Sequence, residues 1–88
     1  MEIEFSEGFE KDIAKSKDKK LASIILKCIE LFENANDLDD ISNIKKMKGH
    51  TSAYRYRKGK YRIGFYYENS IVLFAAFLPR DKIYKKFP

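Results

Sequence analysis

Apolar and polar residues change their spacing midway along this 88-residue chain. In roughly the first third, the apolar positions recur every three or four residues, as they do on one face of an amphipathic helix. From Tyr54 to Tyr67, apolar and polar residues alternate, which is the pattern of a half-buried β-strand. The change of period predicts helices in the first half of the chain and a sheet in the second.

A short strand and two helices are predicted in the first half. The stretch "EIEF" at residues 2–5 alternates as a strand does, and Ser6 follows as a predicted N-cap of a helix that runs to about Ser16. A second helix is predicted from Lys19 to about Phe32. Its apolar stripe consists of Leu21, Ile24, Ile25, Cys28, Leu31 and Phe32.

Three strands are predicted in the second half. The first two form a hairpin around the "KGK" turn at residues 58–60, and the third is the apolar segment 71–78, which ends at Pro79. Because this segment is apolar on both sides, it is expected to be a covered central strand. One or two helical turns are predicted over residues 80–87. Residues 41–49 are predicted to be a connection between the second helix and the hairpin.

These elements predict an α+β fold. Its order is a short N-terminal strand, two antiparallel helices, a three-stranded antiparallel meander and a short C-terminal helical tail. The length and the lack of repeats or linkers predict a single domain over residues 1–88. With the helices on one sheet face, the other face is expected to be available for function.

Charge is distributed very unevenly along the chain. Residues 1–44 hold six Lys or Arg against eleven Asp or Glu, a net charge of −5, whereas residues 45–88 hold twelve against two, a net charge of +10. Such a basic half favours nucleic acid as the partner, because neutralised phosphates release counterions. An acidic protein and an anionic membrane are the weaker alternatives, and the strand-like pattern disfavours the membrane.

Four arginines are the main candidates for phosphate binding. Arg55, Arg57 and Arg62 fall on the polar side of the predicted hairpin, and Arg80 follows the third strand. Because neighbouring strands lie ~4.8 Å apart, the guanidinium groups are expected to converge, and each can bind phosphate oxygens bidentately. Tyr84, four residues after Arg80, is expected to share its helix face, where it would stack on a base or carry a proton, the alternative being that it packs at the edge of the domain.

The remaining candidates have less specific roles. Five lysines are expected to contact the RNA backbone: Lys48, Lys58, Lys60, Lys82 and Lys85. His50, the only histidine, is a reserve acid or base, and Cys28, the only cysteine, is predicted to be a core residue. The chain has no Cys/His cluster, nucleotide-binding motif, signal segment or long apolar run, so no metal, cofactor or membrane is expected, and the predicted location is cytoplasmic.

The order of the motifs resembles that of the RelE/ParE superfamily of type II toxin-antitoxin systems. The resemblance rests on the lysine-rich "IKKMKG", the hairpin "YRYRKGKYRIGFYY", the strand "IVLFAAFL" and the tail "PRDKIYKKF". It implies a compact toxin that an antitoxin wraps around, with an acidic antitoxin segment covering the basic face. DNA binding, if any, is expected only through the antitoxin.

The RelE branch implies an endoribonuclease that cuts mRNA on the ribosome without a metal. Carried over from the family's motifs, Arg55, Arg57, Arg62 and Arg80 are the basic catalytic residues, and Tyr84 stacks on the substrate base. The family typically has lysine where this chain has Arg55 and Arg57, and arginine does not lose its proton in proteins. Proton transfer is therefore expected to involve Tyr84, His50 or a ribosomal group.

Two alternatives to the ribonuclease remain open at the level of the sequence. A ParE-like inhibitor of DNA gyrase would share the hairpin, although the pair of Arg80 and Tyr84 is less expected there. A catalytically weak toxin would act mainly as an antitoxin partner and co-repressor.

Overall fold

The computed structural model describes all 88 residues as five strands, three α-helices and one short 3-10 helix. In chain order, the elements are β1 (Glu2–Phe5), α1 (Glu7–Lys15), α2 (Leu21–Asn34), the 3-10 helix (Leu38–Asp40), β2 (Ile44–Lys46), β3 (Ala53–Lys58), β4 (Tyr61–Glu68), β5 (Ile71–Pro79) and α3 (Arg80–Lys86). No helix has the length and apolar character that crossing a membrane requires.

The five strands form one mixed sheet in the order β1-β5-β4-β3-β2. The pair β1 and β5 is parallel, and the other three pairs are antiparallel. The predicted α+β class and the meander of β3, β4 and β5 are confirmed. The meander is extended by β1 on one side and by β2 on the other.

Strand β2 was not predicted, because residues 41–49 were expected to be a connection. It has only three residues, two of which are exposed lysines, so its sequence shows no apolar alternation. Its pairing with β3 supplies the backbone hydrogen bonds that hold it in place, and lysines are common on sheet edges because they discourage aggregation.

The main core lies between the first sheet face and the helices α1 and α2. Phe9 and Phe32 from the helices are buried against Phe65 and Phe74 of the sheet. The ring of Phe32 meets those of Phe65 and Phe74 edge-on, with centroids 5.3 and 5.1 Å apart. Cys28 is buried in the same core, as predicted.

A bulge near the middle of β5 keeps the large side chains on the core side. Gly64 pairs with Ala76 and Phe65 with Phe74, so Ala75 is the extra residue of β5. Phe74 and Phe77, three residues apart, therefore both belong to the main core.

The second sheet face is partly covered by α3. Ile83 and Phe87 are buried there in a smaller apolar cluster with Met47, Ala53 and Ala76. A Cβ atom at Gly64 would lie only 2.4 Å from Cγ of Phe87, so the glycine provides the space in which this ring sits. Helix α3 is therefore fixed by a specific fit to the sheet.

Candidate active site

Strand pairing brings the basic side chains together on the second sheet face. Arg55 of β3 lies opposite Lys45 of β2 and Gly64 of β4. Two residues further along β3, Arg57 lies opposite Arg62. Because directly paired residues project to the same side of a sheet, three strands contribute cations to one surface.

These side chains line a cleft of about 280 Å³ between the sheet and α3, here named the arginine cleft. Its lining residues are Asn43, Ile44, Lys45, Arg55, Arg57, Arg62 and Tyr84. The lining holds four cations and no carboxylate, so it is suited to a polyanion.

Arg55 lies beneath α3 and contacts it in two ways. Its Nη2 donates a hydrogen bond of 2.9 Å to the carbonyl oxygen of Phe87, and its guanidinium carbon lies 4.5 Å from the ring centroid of Tyr84. Its Nε is buried without an acceptor. Arg55 therefore fixes the position of Tyr84 as well as contributing positive charge.

Arg57 and Arg62 are each held by neighbouring polar groups. Arg57 donates from its backbone N–H to the carbonyl of Asn43 and from Nη2 to Oδ1 of Asn43, both at 3.0 Å. Asn43 adopts a left-handed backbone conformation, with φ of 67°, which asparagine tolerates better than most residues. Arg62 donates from Nη1 to the carbonyls of Gly59 and Tyr61, both at 2.9 Å. Both guanidinium groups are therefore oriented before any substrate binds.

Apart from the lysine and the arginines, Tyr84 is the residue lining the arginine cleft whose side chain can gain or lose a proton. It is 59% exposed, and one face of its ring is covered by Arg55. The pKa of Tyr84 lies below its ordinary value, first because the Arg80 guanidinium interacts with the phenol oxygen, and further because the charges of Arg80, Arg55 and Arg62 favour the phenolate. The second ring face remains accessible for stacking.

Arg80 belongs to an adjoining cleft of about 400 Å³, here named the turn cleft. It is lined by Gly59, Lys60, Arg62, Pro79, Arg80 and Asp81. The backbone N–H of Arg80 donates to the carbonyl of Lys60 at 3.1 Å, which ties the start of α3 to the β3–β4 turn. Arg62 lines both clefts and so connects them.

The predicted RNA-contacting lysines do not all lie at these clefts. Lys60 lines the turn cleft, where its Nζ also lies 3.6 Å from a carboxylate oxygen of Asp18. Lys58 shares the strand parity of Tyr56 and lies near Cys28, on the α2 side of the sheet. The others, Lys48 in the β2–β3 turn and Lys82 and Lys85 on α3, are exposed but line neither cleft.

His50 lies in the exposed turn between β2 and β3 and does not line the arginine cleft. Sequence reasoning missed Lys45 and Asn43, both of which do line it. Their positions depend on β2, whose pairing with β3 places Lys45 opposite Arg55. Of the lysine-rich segment the sequence indicated only Lys48, because without the strand register Lys45 cannot be assigned to the cleft.

The cleft offers electrostatic stabilisation, stacking and proton transfer. Three guanidinium groups can stabilise phosphate charge, while the phenol of Tyr84 and the ammonium of Lys45 are the lining groups that can exchange a proton. The chain has no cluster of three or more His, Cys, Asp or Glu side chains of the kind that holds a metal ion.

Comparison with characterised sequences identifies a full-length relative. The chain is 37% identical over 89 residues to Toxin RelE3 of Methanocaldococcus jannaschii, and the alignment covers 100% of both chains. No protein-family profile matches the chain.

Solved structures show the same fold. A chain of the RelB-RelE antitoxin-toxin complex from Methanococcus jannaschii aligns with a TM-score of 0.79 and 34% identity, covering 97% of this chain and 99% of the other. YafQ from Escherichia coli aligns with a TM-score of 0.70 and 14% identity over 94% of this chain and 97% of its own. The second match shows that the architecture persists where little of the sequence does.

Proposed function

The chain belongs to the RelE family of type II toxin-antitoxin toxins, and on this premise we propose that it is a ribosome-dependent endoribonuclease that cleaves mRNA. The observation that carries the proposal is the arginine cleft, in which an exposed tyrosine lies among four cations. Such a surface combines phosphate binding with a stacking platform for an unpaired base, which are the two elements of single-stranded RNA recognition.

The proposed reaction uses the substrate's own nucleophile. The 2′-oxygen attacks the adjacent phosphorus while the bond from phosphorus to the 5′-oxygen breaks. The 2′-hydroxyl loses its proton to a base, and the departing 5′-oxygen gains one from an acid. The products are a 2′,3′-cyclic phosphate and a 5′-hydroxyl.

Arg62 and Arg80 would stabilise the negative charge that accumulates on the phosphate. They line the same turn cleft, and Arg62 also lines the arginine cleft, so both are available to a phosphate bound there. Preorganised donors are effective because they need not reorganise during the reaction, and the loss of one such donor typically slows catalysis about 10²- to 10³-fold. Arg57 would bind the neighbouring backbone.

Tyr84 and Lys45 would share the proton transfers that arginine cannot perform. The lowered pKa of Tyr84 allows its phenolate to accept the 2′-hydroxyl proton, and the ammonium of Lys45 can protonate the departing oxygen. The exposed ring face of Tyr84 would stack on the adjacent base, while Arg55 beneath the other face fixes the ring. His50 has no part in this scheme.

A cognate antitoxin is the expected partner of the free toxin. The related RelE structure is an antitoxin-toxin complex, and the arginine cleft lacks any acidic residue of its own. An acidic antitoxin segment that covered this cleft would neutralise its charge and exclude mRNA. Neutralisation of this cleft is therefore the expected basis of inhibition.

Purified protein added to ribosomes that are translating a defined mRNA tests the proposed activity. We expect cuts at codon-fixed positions within the translated region, with 5′-hydroxyl ends downstream of each cut. Arg62→Ala and Arg80→Ala should each reduce the cleavage rate by about 10²-fold or more. Lys27→Ala, which removes an exposed cation outside these clefts, should cleave like the wild type.

Intact mRNA in the presence of folded wild-type protein would contradict the proposal. If the same protein inhibited supercoiling by DNA gyrase, the function would instead be that of a ParE-like toxin. If neither activity were found and expression did not arrest growth, a role as antitoxin partner and co-repressor would be favoured.

A further inference from the structure

A third basic cleft lies on the side of α3 away from the arginine cleft. It has a volume of about 300 Å³, and four exposed lysines line it: Lys15, Lys17, Lys82 and Lys86. We name this site the lysine cleft. Neither of the two ion pairs of the chain, Lys11 with Glu7 and Lys60 with Asp18, involves these four ammonium groups.

The one carboxylate in the lining of the lysine cleft already has a structural partner. Oδ2 of Asp12 accepts a hydrogen bond of 3.0 Å from the backbone N–H of Phe77. The aromatic side chains of the lining, Tyr61 and Phe77, are only 7% and 2% exposed. The cleft therefore offers positive charge but no ring on which a base can stack.

Helix α3 separates the arginine cleft from the lysine cleft because its side chains project in three directions. Ile83 and Phe87 are buried against the sheet, and Tyr84 lines the arginine cleft. Lys82 and Lys86, which are four residues apart and so share a helix face, line the lysine cleft. One short helix thus supplies residues to both sites.

The three clefts adjoin one another through shared residues. Arg62 lines both the arginine cleft and the turn cleft, and Pro79 lines both the turn cleft and the lysine cleft. We name this row of three adjoining clefts, which runs from β2 past the β3–β4 turn and the start of α3 to the segment after α1, the basic path.

We propose that the lysine cleft binds the phosphate backbone of RNA outside the reaction centre. The inference rests on the proposed function and extends it, because it concerns RNA beyond the nucleotides that react. Ammonium groups bind phosphate as point charges, and the buried aromatics leave no means of distinguishing bases, so binding is independent of sequence. RNA is favoured over an acidic protein segment because the lining aromatics, Tyr61 and Phe77, are buried and offer no apolar surface on which a protein side chain could be anchored.

A non-cleavable oligonucleotide tests this site without requiring catalysis. The probe is a fluorescent single-stranded 2′-O-methyl RNA of about a dozen nucleotides, long enough to span several phosphates. Lys82→Gln/Lys86→Gln should weaken binding about tenfold and lower the slope of log affinity against log salt by about 1.4, since each phosphate contact to a single strand contributes about 0.7. The matched control is Lys27→Gln/Lys46→Gln, which removes the same charge outside the three clefts.

A second variant and a second RNA complete the test. Lys15→Gln/Lys17→Gln changes the opposite wall of the cleft and should give the same loss, which guards against an indirect effect on α3. Weaker oligonucleotide binding by both variants would identify the continuation of the substrate strand as the ligand. A loss seen only in co-sedimentation with ribosomes would identify ribosomal RNA, and it would also support the proposal.

Two results would overturn the inference. In one, the lysine-cleft variants bind the oligonucleotide and ribosomes as tightly as the control variant does. In the other, they lose affinity for polyglutamate but not for RNA, which would assign the cleft to an acidic protein segment. Failure of the proposed nuclease activity is distinguishable, because mRNA would then stay intact while wild-type protein still bound the probe through these lysines.

Discussion

Tyr84 shows how one side chain acquires chemical properties from its neighbours. Arg55 covers one face of its ring, Arg80 lies near its phenol oxygen, and Arg62 adds further positive charge. None of these residues is adjacent to Tyr84 in sequence, so its lowered pKa is a product of the fold. An ordinary phenol, with a pKa of about 10, would rarely be ionised at neutral pH.

We expect ultraviolet titration to detect this difference directly. The absorbance change that wild type shows and Tyr84→Phe lacks reports the ionisation of Tyr84. It should occur at lower pH than the ionisation of an unperturbed tyrosine. In Arg80→Ala, it should shift towards higher pH because the main stabiliser of the phenolate has been removed. An identical Tyr84 titration in wild type and Arg80→Ala would contradict the assignment.

The cleavage rate should also report the ionisation of Tyr84. If the phenolate accepts the 2′-hydroxyl proton, the rate should rise with pH up to the lowered pKa of Tyr84 and then level off. Tyr84→Phe should lose this rise and react about 10²- to 10⁴-fold more slowly. If Tyr84→Phe kept the wild-type pH profile, the tyrosine would act only through stacking.

Asp18 gives a prediction about stability at acidic pH. Its pKa lies below the ordinary value of 3.8, first because its carboxylate accepts the N–H of Lys20 and then because it accepts the hydroxyl of Tyr61. A carboxyl group with a depressed folded-state pKa stabilises the fold above its unfolded pKa, and this stabilisation is lost as the pH falls through the folded value. The difference in unfolding free energy between wild type and Asp18→Asn should therefore be greatest near neutral pH and shrink below about pH 4. A difference that did not vary with pH in urea unfolding would rule out this linkage.

At the scale of the element, α3 depends on its fit to the sheet. It has only seven residues, so local helix propensity alone is too weak to hold it. Ile83 and Phe87 anchor it, and the space beside Gly64 receives the ring of Phe87. Because Arg55 bonds the carbonyl of Phe87 and contacts Tyr84, the same fit positions the tyrosine.

Gly64→Ala should therefore disturb α3 and the site together. The added methyl group would collide with the Phe87 ring and destabilise the fold by about 1–3 kcal/mol, as overpacking does. Adding Phe87→Leu should recover part of this loss, because a smaller side chain leaves room for the methyl group. Urea unfolding of the two single variants and the double variant measures their coupling. Additive effects would show that Gly64 and Phe87 do not form one packed unit.

Most elements were predictable from the sequence because their apolar residues keep a helix or strand period from one end of the element to the other. Helix α2 was predicted within two residues at each end, and the β3–β4 hairpin was predicted from its alternation and its glycine turn. Strand β2 was not, since a three-residue edge strand with two exposed lysines shows no apolar alternation and is defined only by its pairing with β3. The bulge at Ala75 is likewise a product of packing, because it keeps Phe74 and Phe77 in the same core.

The site was predictable to the extent that strand alternation determines it. Alternation placed Arg55, Arg57 and Arg62 on one face, and their pairing in the sheet is as expected. The same rule places Lys58 on the opposite side, with Tyr56, so its proposed contact with RNA is not supported by its position. Lys45 could not be assigned without β2, and its place opposite Arg55 changes which residues are available for proton transfer.

At the scale of the whole molecule, the uneven charge becomes a spatial arrangement. The basic second half forms the arginine and turn clefts, while Lys15 and Lys17 from the acidic half join α3 in the lysine cleft. The basic path is thus assembled from both halves of the chain. All three clefts are open surface features, so this surface is accessible to a large partner.

The most direct test of the central claim is expression without an antitoxin, followed by mapping of mRNA 5′ ends in the arrested cells. We expect new 5′-hydroxyl ends that keep a fixed position within codons, lie inside coding regions, and are absent when Arg62→Ala or Arg80→Ala is expressed at the same level. Growth arrest in which mRNA stays intact would contradict the proposed nuclease activity, and so would growth arrest in which DNA is damaged but mRNA is not cleaved.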